Sequence, residues 1–303
     1  MEKKVVNRII ENIFFSNFFL ILLTLSLNIE TNLKLGLPLN TIPYYVFISS
    51  VTILFYLYAY RIPQHLKFST NPRTQFYIRY KKEIRFITLF LGLISLFSGV
   101  WLGIKCLPNY EILSWKWLLI LGSTVFFVFG YYDFKLGFSL RKYMLLKPFL
   151  IGWAWAITTV FSPVLFLMLK NETLYRIDPK FYFLFFQTFM FCLVNAILFD
   201  LKDYEDYHNR NLKTFVVKFG YHFTLNRIIL PLLFLTFLSF LIFGFWIDLP
   251  FPRILFILIP ISCLAIFAFK LNRPKPILYY LIAIDGMILL KAIGGILSVL
   301  LFE

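Results

Sequence analysis

The stretch LNRIILPLLFLTFLSFLIFGFW, Leu225–Trp246, carries a single charged residue, Arg227, close to its start. Crossing about 30 Å of hydrocarbon at 1.5 Å per residue takes roughly 20 predominantly apolar residues in helical form. The stretch therefore reads as a membrane span, and eight more runs of the same kind lie at roughly 11–29, 42–60, 86–104, 115–132, 148–169, 180–199, 251–269 and 277–301. The longest connections are about 25 residues, which leaves no room for a separate soluble domain. The expectation is an all-α integral membrane protein, a single transmembrane domain over residues 1–303 built as a nine-helix bundle.

Composition agrees with that fold class. The chain is 60% hydrophobic and 15% charged, with a mean hydropathy of +0.79. A net charge of +15 would suit nucleic acid, but its placement points elsewhere. With the amino terminus inside, the connections on that side hold 22 Lys and Arg and those on the other side hold 7. That asymmetry predicts an N-in, C-out orientation and a lipid bilayer as the partner, with no nucleic acid. The expected location is the bacterial inner (cytoplasmic) membrane, with the polar connections 61–85 and 200–224 on the cytoplasmic side. Lys3, Lys4 and Arg8 precede the first apolar run as in a leader, but Asn12 and Asn17 interrupt it and no small-residue cleavage pattern follows, so a span is expected. Cys106, Cys192 and Cys263, and His65, His208 and His222, lack the spacing of a disulfide framework or a metal site.

Against this apolar background FDLKDYEDYHNRNLKTFVVKFG, Phe199–Gly220, stands out: four of the 15 acids fall between Asp200 and Asp206. Asp200, Asp203 and Asp206 recur at a spacing of three, which puts them on one face of a helix continuing out of the sixth span. Lys202 and Lys213 lie among and after them. Carboxylates at a membrane rim suit Mg2+, which takes a few carboxylates, waters and substrate phosphates, and lysines suit the remaining phosphate charge. The plain alternative is a solvated loop of mixed charge. Asn195, one turn before Asp200, is expected on the same inner face. Asp285 and Lys291 fall inside the last span, six residues apart and so on different faces; Asp285 is expected to face the bundle and Lys291 to snorkel. Pro163, Pro231 and Pro260 are expected to kink their spans, with neighbouring helices making good the lost hydrogen bonds.

The acidic segment resembles the second aspartate-rich motif of the UbiA superfamily of membrane prenyltransferases. Asp200 and Asp203 match its first two aspartates, and Lys213-Thr214 and Phe219-Gly220 its trailing elements; Tyr207 stands where the third aspartate belongs, with Asp206 one residue early. YYDFK, with Tyr131 and Lys135, resembles the Tyr-x-x-x-Lys motif after the family's fourth span. LRKYMLLKPFLIGWAWA, Leu140–Ala156, resembles the basic approach to its fifth. The first aspartate-rich motif is missing: no acid occurs from Arg61 to Lys82, and Arg61 and His65 occupy the region.

The resemblance implies a nine-helix prenyltransferase bundle that moves an isoprenyl group from a prenyl diphosphate to an aromatic or other lipid-soluble acceptor. It implies Mg2+ held by Asp200, Asp203 and Asp206, and diphosphate contacts from Tyr131, Lys135, Arg141, Lys142, Lys202, Lys213 and Arg61. Two other classes stay open: a non-catalytic descendant that binds a lipid or a partner protein, and a small-molecule transporter.

Overall fold

The computed structural model describes residues 2–59, 71–113, 115–131, 140, 143–171, 175, 177–204, 214–271 and 273–302. Among them every regular element is helical, and the protein is an all-helical membrane protein. Among the described residues, six helices are long and apolar enough to cross a bilayer: α5 (Lys81–Cys106), α7 (Leu146–Asn171), α8 (Pro179–Asp200), α10 (Tyr221–Trp246), α11 (Phe251–Phe269) and α12 (Ile277–Phe302). A bent pair, α1 (Glu2–Phe15) and α2 (Phe19–Lys34), and two shorter apolar helices, α3 (Ile42–Ala59) and α6 (Trp115–Tyr131), complete the apolar set. The short α4 (Pro72–Arg79) and α9 (Phe215–Phe219) lie in the two long polar connections. The chain divides into two compact units, residues 1–26 with 40–108, and residues 27–39 with 109–303.

Within the expected span 11–29 the helix breaks at residues 16–18, where its two parts meet at 60°. Asn17 adopts φ 69°, a left-handed conformation that Asn tolerates better than most residues. Its buried side chain is held from both ends. The amide nitrogen donates to the Tyr77 hydroxyl at 2.8 Å and the amide oxygen accepts from the Arg73 guanidinium, both on α4. The described part of the connection 61–85, from Asn71 onward, is largely helical. Asn71 caps α4, accepting from the Arg73 N–H, and α5 starts at Lys81, five residues before the apolar run. Tyr77 packs with Ile53 and Leu57 of α3 into the unit's small core. α5 presents Phe86, Leu89, Phe90, Leu93 and Phe97 outward, an apolar face suited to hydrocarbon.

In the second unit the core gathers Trp117, Phe161, Val164, Met168 and Leu184, with the Trp117 and Phe161 rings 4.7 Å apart. The end of α2 belongs to this unit and runs past the expected boundary at 29 to Lys34. It closes with the Leu37 N–H on the Asn32 carbonyl and the Gly36 N–H on the Leu33 carbonyl, the paired bonds of a helix C-terminus ending in glycine.

Three breaks in the helical hydrogen-bond ladder are each covered by a neighbouring helix, as a medium without water requires. Pro163 has no N–H to give the carbonyl of Thr159, which lies in a π turn, Ile157–Phe161. The Thr31 hydroxyl donates to that carbonyl at 2.7 Å instead. Pro260 likewise leaves the Phe256 carbonyl of α11, which packs against Gly294 of α12 so closely that a methyl there would sit 3.1 Å from the oxygen. In α12 a π turn spans Tyr280–Ile284, and Asn195 of α8 donates to the Ile284 carbonyl at 2.7 Å. Asn195 is thus buried against α12, where it serves as a patch for a neighbouring backbone.

Candidate functional site

α8 positions the first acid of the polar segment. Asp178 caps its start by accepting from the Phe181 N–H at 2.9 Å, Pro179 occupies the first turn, and the helix runs unbroken to Asp200. A 3-10 turn, Leu201–Asp203, continues it. Asp200 is buried, 6% exposed, so its carboxylate needs a charged or hydrogen-bonding partner. Lys147 supplies one: its ammonium donates directly to Oδ1 of Asp200, across 53 residues of sequence. Lys147 stands in the first turn of α7, within the Leu140–Ala156 segment, at a position the sequence motif did not single out.

The residues flanking Asp200 in sequence make aromatic contacts. Lys202 sets its ammonium 4.5 Å from the centre of the Phe199 ring, a cation–π contact. Phe199 packs edge-on against the fully buried Tyr280, and Tyr204 against Tyr221. Two other elements of the motif serve local structure. The Thr214 hydroxyl caps α9, accepting from the Val217 N–H at 3.4 Å. Gly220, at φ 82°, makes the turn from α9 into α10.

Two residues along α7 from Lys147, Phe149 opens a cleft of about 400 Å³ lined by Phe149, Trp153, Tyr182, Phe185, Phe186, Phe189 and Phe243. Its walls are packed aromatic pairs: Phe149 stacks on Trp153 and meets Phe189 edge-on at 5.3 Å, and Trp153 meets Phe185 at 5.5 Å. Its lining is hydrophobic and aromatic with no charged side chain, a surface suited to hydrocarbon.

Of the residues expected at the site, Asp200, Lys202 and Tyr131 are described in full. Tyr131 closes α6, half-buried. For Asp203 the structure describes the backbone alone, and Arg61, His65, Lys135, Arg141, Lys142, Asp206 and Lys213 lie outside the described residues. Among the described residues no three carboxylate, histidine or cysteine groups come together as a metal site. The arrangement at Asp200 fits an ammonium partner, and a magnesium ion would have to compete with Lys147 for the same oxygen.

A second polar cluster lies deeper in the bundle. Lys291 was expected to snorkel; it is instead 3% exposed and donates to Oε2 of Glu30 at 2.8 Å, across 261 residues. Lys34 donates to the other oxygen, Oε1, at 2.6 Å and reaches the Gln187 side-chain oxygen at 3.3 Å. Helical spacing shows Glu30 and Lys34 as an i,i+4 pair, but nothing local marks Lys291 as their partner. Asp285 is half-buried on α12, near Cys192.

Comparison with protein-family models, with curated proteins and with solved structures returned no match to this chain.

Proposed function

We propose that the chain is a UbiA-like intramembrane prenyltransferase that holds a prenyl diphosphate where α7 begins and α8 ends. The observation that carries this reading is the Lys147–Asp200 ion pair. It joins the two segments that carry the family resemblance. In this reading all nine apolar segments cross the membrane, and the amino terminus and both long polar connections face the cytoplasm.

Lys147 and Lys202 contact the diphosphate, with Tyr131, Lys135, Arg141, Lys142, Lys213 and Arg61 as further contacts. Asp200 serves as a positioning residue that holds Lys147. Magnesium is assigned to Asp203 and Asp206; when bound, it would take up negative charge on the diphosphate. The allylic carbon–oxygen bond ionises and its electron pair leaves with the diphosphate, whose developing charge the lysines stabilise. The acceptor ring then attacks the carbocation and loses a proton.

One observation favours a non-catalytic descendant as the second reading: the Asp200 carboxylate is already held by an ammonium group. Turnover separates the two. Detergent-solubilised protein, given prenyl diphosphates of several chain lengths with magnesium and an aromatic acceptor, is expected to release diphosphate. Binding of those donors without release from any of them would refute the enzyme and leave the binder.

A further inference from the structure

The break at residues 16–18 turns α1 away from the line of α2 by 60°. Buried contacts hold that bend. Asn17, 3% exposed and at φ 69°, is fixed by Arg73 and Tyr77 of α4. Phe15, the last residue of α1, is buried, with its ring 5.8 Å from that of Phe76 on α4. α1 is thus anchored at its carboxyl-terminal end and leaves the bundle at a set angle. A helix that carried the line of α2 on through hydrocarbon would be apolar all round. α1 is not: five of its 14 residues, Glu2, Lys3, Lys4, Arg8 and Glu11, are charged.

Charged and apolar residues are sorted by face. At 100° per residue, Lys4, Arg8 and Glu11 fall on one side of α1, and Val6, Ile9 and Ile13 fall opposite. Ile9 and Ile13 are 52% and 42% exposed, so no described residue covers the apolar side. An amphipathic helix with a bare apolar face and a charged opposite face is the form that lies between headgroups and acyl chains. The surroundings add charge of one sign. Past Phe76, the end of α4 and the first turns of α5 expose Arg79, Lys81, Lys82 and Arg85 against a single acid, Glu83. From Phe86 onward α5 is an apolar span with exposed side chains, so this rim stands where hydrocarbon begins.

We infer that α1 lies along the bilayer surface, with Ile9 and Ile13 at the edge of the hydrocarbon and its basic residues toward anionic phospholipid headgroups. The first apolar segment then crosses the membrane from the bend onward. The partner is an anionic lipid surface. Three cations against two acids give α1 little net charge of its own, so its preference for anionic lipid is shared with the rim at 79–85. The inference does not rest on the proposed function.

The test is spin labelling of the full chain in phosphatidylcholine vesicles, with and without phosphatidylglycerol, after Cys106, Cys192 and Cys263 are replaced by alanine. I9C, E11C and I13C carry the label one at a time, and collision with oxygen and with a water-soluble nickel complex reports depth. The expected result is alternation: labels at 9 and 13 in lipid, and the label at 11, between them, in water. Depth that changes steadily from 9 through 11 to 13 would mean that α1 continues the crossing, and would overturn the inference. Labels at 9 and 13 shielded from both reagents would mean that protein covers the face, and would overturn it too. If the chain without native cysteines does not fold, a photoreactive amino acid at 9, 11 and 13 of the otherwise native chain reads the same pattern. It should crosslink to lipid from 9 and 13 and not from 11, and equal crosslinking from all three would overturn the inference. The charge contribution is read from the ratio of immobilised to mobile label at 9. Phosphatidylglycerol should raise that ratio, and K4Q combined with R8Q should shrink the rise about fivefold for each cation removed. A ratio indifferent to phosphatidylglycerol, or a rise that survives both substitutions, would overturn the contact of α1 with anionic headgroups.

Discussion

Partway along α8, Gln187 meets Lys34 in a buried cluster of charges, and at the carboxyl-terminal end of the same helix Asp200 meets Lys147. In the first region the partners come from α2 and α12, and both atoms of the Lys291–Glu30 pair are closed off from solvent. In the second the ammonium side chain is 15% exposed and belongs to the first turn of a helix. A charge deep in the bundle has to be matched by groups fixed on other helices, because its position can be held only by packing. A charge at a helix end keeps access to a polar rim and to a ligand. The first arrangement therefore carries fold stability, and the second is better placed for exchange of partners.

The largest effect that would sharpen this contrast is expected from Gly295→Ala. The new methyl overlaps the Glu30 carboxylate and has to push it off the two lysines. Disrupting a buried pair from one side costs about 3–5 kcal/mol, so the unfolding free energy should fall by roughly that much while donor binding at the α8 terminus persists in the folded fraction. A loss below about 1 kcal/mol would show that the cluster does not stabilise the bundle. A smaller effect is expected from Thr31→Val, which orphans the Thr159 carbonyl beneath Pro163. Hydrogen bonds between membrane helices are worth about 0.6–1.7 kcal/mol, so a loss near 1 kcal/mol is predicted. Pro163→Ala supplies an N–H for the same carbonyl, so in its background Thr31→Val should cost clearly less. Equal costs in both backgrounds would contradict the patching role of Thr31.

The parts of this molecule that were legible from sequence are those whose cause is local. Apolar runs of membrane-spanning length became helices because length and hydropathy act residue by residue. Their ends were harder to place: Lys81, Lys82, Glu83 and Arg85 read as loop, yet they form the first turns of α5, where long charged side chains can extend from a helical backbone. Asn17 read as a mere interruption, and the bend it makes depends on Arg73 and Tyr77, more than fifty residues away. Glu30 escaped notice because its i,i+4 lysine resembles an ordinary surface pair and its other partner is 261 residues distant. At the candidate site Asp200 was found from its spacing. Lys147 lay in a segment already marked as basic, but only the fold shows which of its cations turns toward the carboxylate. Thr214 and Gly220 were read as motif elements, and a cap and a turn account for both.

The most direct test of the proposed diphosphate site is calorimetric titration of farnesyl diphosphate into the solubilised full chain and into Lys147→Met, each with magnesium and with EDTA. The native protein is expected to bind. Lys147→Met should bind at least about tenfold more weakly in both conditions, because a charge-assisted contact to phosphate is lost directly. Equal affinity in the two proteins, or no binding to the native chain with magnesium present, would contradict a diphosphate site at Lys147 and Asp200.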